Sequence, residues 1–244
     1  MNAEIFKEID ALQKEINIRR PFDERVLKQI REYYRIGLTY TSNALEGNSL
    51  TETETKIVLE EGITIGGKRL IDHLEVIGHG DALNYLYECI KNKNFSEDDI
   101  KKLHQLFYYR IDEKYAGIYR DIKIFISGCK YPFAQPEDLP KLMKELIVRL
   151  GGLKDKMHPV EFAALVHKEF VFVHPFIDGN GRVARLLMNL SLLQAGYNIA
   201  IIPPIMRSKY IETLEKAHVD DKDFIMFIAQ MVKETQKDYL RLFV

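Results

Sequence analysis

The chain has 244 residues, 46% of them hydrophobic and 29% charged, which is enough to bury the core of one large globular unit. Lysine and arginine total 35 against 36 acidic residues, and this balance argues against nucleic acid or an anionic membrane surface as a partner. The longest apolar runs, such as residues 199–205, are too short to span a membrane, and residues 1–15 lack the apolar core of a signal peptide. We therefore expect a cytoplasmic protein.

In chain order, apolar residues recur three and four positions apart in most segments, which predicts an all-α, predominantly helical protein. Two helix starts are marked by capping residues: Thr51 precedes Glu54 in a capping box, and Ser96 precedes three acidic residues. Gly62 and the glycine pair at 151–152 are expected to end helices. The periodic segments are 26–40, 57–61, 70–92, 100–111, 139–150, 159–173, 182–195 and 224–243.

Residues 117–136 depart from the helical period. Ile122, Ile124 and Ile126 occupy every second position, and a serine–glycine pair follows them. Alternation of this kind next to a turn sequence is typical of a β-hairpin. We predict a short hairpin here, as the one exception to a helical fold.

The most informative segment is the loop that precedes the helix of residues 182–195. Gly179 and Gly181 flank Asn180, so the backbone can turn its N–H groups inward as a nest for anions. The next helix begins at the same place, and its unpaired N–H groups and dipole favour a phosphate group. Arg182 and Arg185 lie three positions apart on one helix face, where each can donate two hydrogen bonds to phosphate oxygens. The sequence predicts a phosphate-binding loop.

Two further side chains in this loop carry chemistry. His174 titrates near neutral pH and is placed at the end of an apolar helix, where it can take a proton from an attacking hydroxyl. Asp178 offers one hard carboxylate, the usual protein ligand of a Mg²⁺ that also binds phosphate. Each group alone is common in ordinary turns and helix ends. A base, a metal ligand and an anion cradle within twelve residues favour a catalytic loop over a structural one.

Residues 174–185 resemble the signature of the Fic family, His-x-Phe-x-Asp/Glu-Gly-Asn-Gly-Arg-x-x-Arg, at every specified position. The likeness covers roughly residues 98–232, with residues 15–90 similar to the N-terminal helical region of many members. It implies a helical bundle with a short β-hairpin flap over the active site. We divide the chain accordingly into an N-terminal helical region, residues 1–95, and a catalytic core with C-terminal helices, residues 96–244.

The resemblance implies a protein adenylyltransferase, which moves AMP from ATP to a Ser, Thr or Tyr hydroxyl of a target protein and releases pyrophosphate. By that likeness His174 would be the general base, Asp178 would hold Mg²⁺, and residues 179–181 would bind phosphate oxygens. Arg182 would contact the β/γ region of ATP, and Arg185 would bind the γ-phosphate. Such chemistry depends on alignment and on neutralising charge, and these groups supply both.

A second, shorter motif matches an inhibitory pattern of the family, Ser/Thr-x-x-x-Glu-Gly/Asn. It comprises Ser42, Glu46 and Gly47. A structural alternative is a simple helix C-terminus capped by Gly47. A glutamate is unfavourable at that end of a helix, however, so a nearby arginine would explain it better. The resemblance names Arg185 as this partner and implies an autoinhibited, self-modifying enzyme.

The resemblance also suggests contacts for the target and for the base. Residues 117–136 are similar to the family's flap, and Ile124, Phe125 and Ile126 are our candidates for the edge that pairs with an extended target segment. Tyr210 lies in a region similar to the family's adenine-side segment and is expected to contact the base. The sequence departs from several relatives at His218, where they have asparagine.

Other functions remain open. Relatives with altered loops transfer phosphate or phosphocholine, although a phosphate-transferring member typically has lysine at the position of Gly181. The same glutamate is thought to support AMP removal in some relatives, so Glu46 could serve both reactions. A nucleotide-sensing module would need neither His174 nor Asp178. A zinc hydrolase using His167 and His174 is disfavoured because residues seven apart are two helical turns apart.

The partner implied by the resemblance is a target protein with an exposed hydroxyl, and relatives that form homodimers or tetramers make a homo-oligomer a further expectation. The remaining histidines are assigned to surface, capping or packing roles. They are His73, His79, His104 and His158.

Overall fold

A computed structural model describes residues 3–125 and 130–243. Within these ranges the protein has ten α-helices, four short 3₁₀ turns and no β-strand, so the predicted all-α fold is confirmed. The helices are α1 (Ala3–Ile18), α2 (Glu24–Ala44), α3 (Glu52–Glu61), α4 (Leu70–Cys89), α5 (Glu97–Tyr108), α6 (Leu139–Leu153), α7 (Pro159–Val173), α8 (Asn180–Gln194), α9 (Arg207–Lys216) and α10 (Lys222–Arg241).

The helix boundaries follow the capping residues closely. Thr51 and Glu54 form a full capping box before α3, and Ser96 forms one with Asp99 before α5. Gly62 ends α3 in a left-handed conformation, as predicted. The glycine pair at 151–152 does not end α6, which continues through both residues to Leu153. Helix α9 was missed, because its ten residues carry few apolar positions.

The core is centred on α7 and α8, which pack against each other and are joined by residues 174–179. Almost every residue of α8 is buried, including its two arginines and Asn189. One continuous buried cluster draws on both halves of the sequence, with Leu38 and Leu83 from the first 95 residues packed with Phe107, Phe170 and Leu187 from the rest. Burial of each such side chain contributes about 2 kcal/mol to stability. The N-terminal helices are therefore part of the core that holds the loop.

The C-terminal end of α2 lies beside the N-terminal end of α8. Leu45 is buried just after α2, and Gly47 adopts φ 92°, a left-handed conformation that glycine takes without strain. The Leu45 carbonyl accepts a hydrogen bond of 2.7 Å from Arg207 Nε. These contacts fix Glu46 between the two helix ends.

The predicted β-hairpin at 117–136 is not confirmed in the part of this segment that the structure describes. Residues 117–125 and 130–136 form no strand, and a single buried side chain bridges them: Arg120 donates to the carbonyls of Ile122 and Ala134 at 2.9 and 2.7 Å. The hydrogen bonds of this guanidinium join the two parts, where a hairpin would have backbone hydrogen bonds between two strands. Ile126 lies outside the described residues. We call the described residues of 117–136 the arm.

No helix in the described ranges has the length and apolar character needed to cross a membrane. Cys89 is buried and free.

Candidate active site

His174 ends α7 in a left-handed conformation, with φ 50° and ψ 59°. It is the one non-glycine residue with positive φ among those described, and such a backbone conformation costs about 1 kcal/mol. Its Nδ1 lies 3.1 Å from the carbonyl oxygen of Val171, so Nδ1–H donates there and Nε2 is the acceptor. Burial lowers the pKa of His174 to about 4. The imidazole is neutral at pH 7, and Nε2 can accept a proton.

The loop between α7 and α8 is closed by short-range hydrogen bonds. Asn180 Oδ1 accepts from the Phe176 amide at 2.9 Å, and Asn180 Nδ2 donates to the Phe176 carbonyl at 2.8 Å. The Asp178 carboxylate accepts from the Gly179 amide at 2.6 Å. Gly179 has φ 78°, and a β-carbon there would meet the Phe107 ring at 2.8 Å. The predicted loop is thus a rigid turn that only glycine permits at position 179.

His104 of α5 packs against this loop and bonds to it, a role that we did not predict from the sequence. Its Nδ1 accepts from the Gly117 amide at 2.9 Å, and its Nε2 donates to the Asp178 carbonyl at 3.1 Å. The ring stacks on Phe176 with centroids 3.8 Å apart. Burial lowers the pKa of His104 to about 3, which keeps it in this neutral tautomer. It joins the start of the arm to the loop.

Arg120 is a second support that the sequence did not reveal. It is 2% exposed, and besides its two bonds within the arm its Nε donates to the His174 carbonyl at 2.9 Å. Its amide donates to the Pro175 carbonyl at 2.9 Å. The arm also places the Phe133 ring 4.6 Å from the His174 ring. Arg120 therefore connects both sides of the arm to the residue predicted to be the base.

Arg182 is buried and already paired. Its Nη1 donates to Glu75 Oε1 at 2.6 Å, and its Nη2 donates to Asp178 Oδ2 at 3.2 Å. The guanidinium lies 4.3 Å from the centre of the Phe107 ring. Glu75 of α4 was not predicted as a site residue, because a glutamate in the middle of a helix carries no local signal of its distant partner.

Arg185 lies beside the loop and is held by two residues of the motif that resembles an inhibitory pattern. Its Nη2 donates to Glu46 Oε1 at 2.7 Å and to the Ser42 carbonyl at 2.8 Å, and its Nε donates to Ser42 Oγ at 2.9 Å. Burial opposes the charge on Arg185, but Glu46 more than offsets this, and the pKa of Arg185 is raised. The structure thus brings Ser42 and Glu46 into contact with Arg185, the residue that the family resemblance links to the γ-phosphate.

The Glu46 carboxylate also covers Gly181. A β-carbon at Gly181 would lie 2.4 Å from Glu46 Oε1, so only glycine allows the carboxylate to approach this closely. Burial would raise the pKa of Glu46, but Arg185 and Arg182 outweigh it and the pKa is lowered. Glu46 is therefore ionised at pH 7. The space over Gly181 that the sequence reserved for phosphate is filled by this carboxylate.

The residue predicted to contact adenine is buried, whereas the described residues predicted to contact the target are at least partly exposed. Tyr210 is 3% exposed, and its hydroxyl accepts from Arg185 Nη1 at 3.3 Å, so its ring lies in the core rather than in an open position for stacking. His218 is stacked between Phe172 and Tyr131. At the arm, Ile124 is partly buried and Phe125 is 92% exposed.

Comparison with known proteins relates the chain to a family. Residues 94–192 match the model of the Fic/DOC family. The chain is 39% identical over 205 residues to "Protein adenylyltransferase Fic" of Nematostella vectensis, covering 82% of this chain and 48% of that protein. The chain therefore spans about half the length of the curated relatives it matches.

Solved structures agree with this assignment. Fic-1 from C. elegans superposes with a TM-score of 0.89 at 30% identity, covering 99% of this chain and 72% of that one. A Fic-domain signalling protein from Bacteroides thetaiotaomicron superposes with a TM-score of 0.85 at 28% identity, covering 96% and 95% of the two chains.

Proposed function

This chain belongs to the Fic/DOC family, and we propose from that premise that it is a protein adenylyltransferase held in an inhibited state by its own Glu46. The substrates are ATP and a Ser, Thr or Tyr hydroxyl of a protein. The hydroxyl oxygen attacks the α-phosphorus, the bond to the β-phosphate oxygen breaks, and pyrophosphate leaves. The products are AMP-protein and pyrophosphate.

His174 is the general base in this proposal. Its Nδ1 is engaged by Val171, so the hydroxyl proton moves to Nε2. Its lowered pKa leaves this nitrogen free of a proton at pH 7. The α-phosphate is placed at the loop amides and the N-terminus of α8, where partial positive charge from backbone N–H groups stabilises the charge that develops during transfer. General-base catalysis of this kind contributes about 100- to 10,000-fold.

Asp178 fits a Mg²⁺ that arrives with the nucleotide. Its side chain is 57% exposed, and the described residues hold no cluster of three or more metal-ligating side chains. One accessible carboxylate is the donor set expected where phosphate oxygens and water supply the remaining ligands. The ion would neutralise phosphate charge during transfer.

One observation carries the inhibited state: Glu46 occupies Arg185 and covers Gly181 at the same time. A γ-phosphate at Arg185 would have to displace a carboxylate bonded at 2.7 Å, and both groups are negative. ATP could still bind through other contacts, but with its phosphates shifted from the position that aligns the α-phosphorus. The wild-type protein should therefore be nearly silent.

The test is incorporation of label from α-³²P-ATP with Mg²⁺ into the protein itself. We expect Glu46→Gly to raise self-modification on the order of 100-fold, because it frees Arg185 for the γ-phosphate and uncovers Gly181. Glu46→Gly/His174→Ala should return the signal to background. Glu75→Gln is the matched control, a neutralised glutamate on Arg182 instead of Arg185, and it should leave the wild-type protein inhibited.

Each outcome has a definite meaning. Equal incorporation by wild type and Glu46→Gly would remove the inhibitory role of Glu46. Label from γ-³²P-ATP on the protein would identify phosphate transfer instead of AMP transfer. Intact ATP binding with no transfer in any variant, with candidate targets added, would favour a nucleotide-sensing module.

Removal of AMP by the same site is a second candidate, favoured by the position of Glu46. The Glu46 side chain is 35% exposed, and its ionised carboxylate lies over the loop, where it could orient a water molecule toward a phosphodiester. Protein labelled by the Glu46→Gly variant, once purified, should lose AMP when wild type is added and keep it when His174→Ala is added. Retention of label with wild type would dismiss this activity.

The exposed arm is the proposed docking site for the target. Phe125, an aromatic side chain that is 92% exposed, follows the partly buried Ile124. An extended target segment laid beside this backbone would present its hydroxyl near His174. Phe125→Ser should lower modification of an added target and spare the folding of the enzyme.

A homo-oligomer remains a further proposal, to be tested by light scattering.

A further inference from the structure

Arg185 is held by two groups of residues that come from different helices. At the end of α2, Ser42 and Glu46 accept hydrogen bonds from its Nε and Nη2. Its Nη1 instead donates to the hydroxyl of Tyr210, on α9, at 3.3 Å. That hydroxyl lies 2.8 Å from Nε2 of His167, on α7. The contacts of Nη1 therefore do not depend on the motif that contains Glu46.

The protons in this chain of hydrogen bonds can be assigned. An arginine only donates, so the Tyr210 hydroxyl accepts from Arg185. Burial lowers the pKa of His167 to about 3, with a smaller contribution from the charge of Arg185, so the ring is neutral at pH 7. Its Nδ1 has no hydrogen-bond partner among the described residues. The arrangement that satisfies the hydroxyl directs its proton to Nε2, which makes His167 the acceptor at the end of the chain.

Packing leaves these three side chains little freedom. Arg185 is 2% exposed, Tyr210 is 3% exposed and His167 is completely buried. The Phe224 ring lies against both aromatic rings, with its centroid 5.2 Å from that of His167 and 6.3 Å from that of Tyr210. Side chains in a close-packed interior of this kind keep defined rotamers. The Tyr210 hydroxyl is thus a fixed acceptor for the guanidinium of Arg185, and none of the contacts that fix it involves Glu46.

Arg185 needs such an acceptor when it binds ATP. In the proposed function the γ-phosphate takes the place of Glu46 on Arg185, and the guanidinium must then keep its orientation without that partner. We propose that Tyr210 and His167 are positioning residues that hold Arg185 in the orientation required for the γ-phosphate. This inference rests on the proposed function, because it takes Arg185 as the γ-phosphate ligand. It gives Tyr210 a role through Arg185 rather than the predicted contact with adenine.

The experiment compares ATP with ADP, which lacks the γ-phosphate. The two Kd values are measured with Mg²⁺ by isothermal titration calorimetry on the full chain carrying Glu46→Gly and His174→Ala, so that Arg185 is accessible and ATP is not consumed. ATP should bind about tenfold more tightly than ADP in this background. Tyr210→Phe should reduce that preference to about threefold or less, with little change in the Kd of ADP.

His167 is tested by two substitutions. His167→Leu removes the acceptor of the Tyr210 hydroxyl and should lower the preference for ATP as Tyr210→Phe does. His167→Gln can place an amide oxygen near the position of Nε2 and should restore most of the preference. Tyr197→Phe is the matched control, because it removes a hydroxyl that donates to Asp10 at 2.5 Å, and it should leave the preference unchanged. Thermal unfolding verifies that each variant is folded.

The outcomes separate this inference from the proposed function. An ATP preference that persists unchanged in Tyr210→Phe and His167→Leu would overturn the inference. Equal weakening of ATP and ADP in Tyr210→Phe would overturn it as well, and would indicate a contact with the adenosine part that both nucleotides share.

Two further outcomes concern Arg185 itself. No preference for ATP in the Glu46→Gly/His174→Ala background would overturn the γ-phosphate assignment of Arg185 and this inference with it. A preference that falls in Tyr210→Phe and His167→Leu, although Glu46→Gly alone transfers no AMP, would support the positioning role and contradict only the proposed reaction.

Discussion

The loop of residues 174–185 and the arm form two sides of the same candidate site but are held by different means. The loop is closed from within: Asn180 bonds both backbone groups of Phe176, four residues away. The arm is held by one side chain outside it and one within it. His104 of α5 accepts from the Gly117 amide at the start of the arm, and Arg120 bonds carbonyls in both parts of the arm. The internal bonds of the loop join residues that are neighbours in the chain, whereas the arm is joined to the rest of the protein by His104 and Arg120 and by ring contacts of Tyr131 and Phe133.

This difference matters for function. Transfer chemistry needs phosphate groups and base in fixed positions, and a locally closed loop supplies them with little ordering left to do. A surface that receives varied protein segments is better held by few contacts, because it can then move at low cost. The four tests below address this contrast, beginning with the largest expected effect.

Arg120→Met should detach the arm. Three carbonyls lose their charged donor at once, and the free energy of unfolding should fall by about 4 kcal/mol, measured by urea denaturation. Arg110→Met is the control, since Arg110 pairs with Asp81 on the surface and its loss should cost under about 1 kcal/mol. If both variants lost equal stability, the arm would not depend on Arg120.

The features that the sequence predicted lie mainly in the loop, and those that it missed lie mainly in the contacts of the arm and its supports. The loop could be identified because its partners are neighbours in the chain, and the capping boxes of α3 and α5 for the same reason. The supports at Glu75, His104 and Arg120 were missed, since each acts on a residue 54 to 107 positions away. The predicted hairpin was not confirmed because alternating isoleucines indicate strand geometry, while the observed arm is joined through a guanidinium.

Asn180→Ala and Asn189→Ala separate the shape of the loop from general stability. Both asparagines lie on α8, and both bond the amide and carbonyl of one residue outside that helix, Phe176 for the first and Ala200 for the second. Each alanine should cost about 3 kcal/mol, because two buried backbone groups lose their partners. In the Glu46→Gly background only Asn180→Ala should also abolish AMP incorporation. Equal activity losses would mean that the loop has no special dependence on its internal bonds.

Gly181→Ala tests whether the loop is as self-contained as its hydrogen bonds suggest. The new methyl group would meet Glu46 Oε1 at 2.4 Å, so it should destabilise the wild-type protein by about 2 kcal/mol. In the Glu46→Gly background most of this cost should vanish. A double-mutant cycle on unfolding free energies measures this coupling without any assay of activity. Additive effects would place Glu46 away from the loop.

The titration of His104 and His174 gives the smallest effect. Burial lowers their pKa values to about 3 and about 4, against an ordinary value of 6.5. As pH falls below about 6.5, the two histidines bind protons in the unfolded chain but not in the folded protein. Their contribution to the free energy of unfolding is therefore complete above that pH and declines below it. Each histidine contributes about 1.4 kcal/mol per pH unit to the decline.

His104→Gln should therefore make the urea-derived stability of the protein less steep between about pH 6.5 and pH 5, by about 1.4 kcal/mol per pH unit relative to wild type. The cost of losing two hydrogen bonds is the same at every pH in this range and does not affect the slope. The change in slope therefore reports the proton that His104 binds in the unfolded chain but not in the folded protein. His174→Gln should reduce the slope equally over this range, since both folded pKa values lie below it. An unchanged slope in His104→Gln alone would mean that His104 can be protonated in the folded state. Its Nδ1 would then be a donor facing the Gly117 amide, and the join between arm and loop would open in acid.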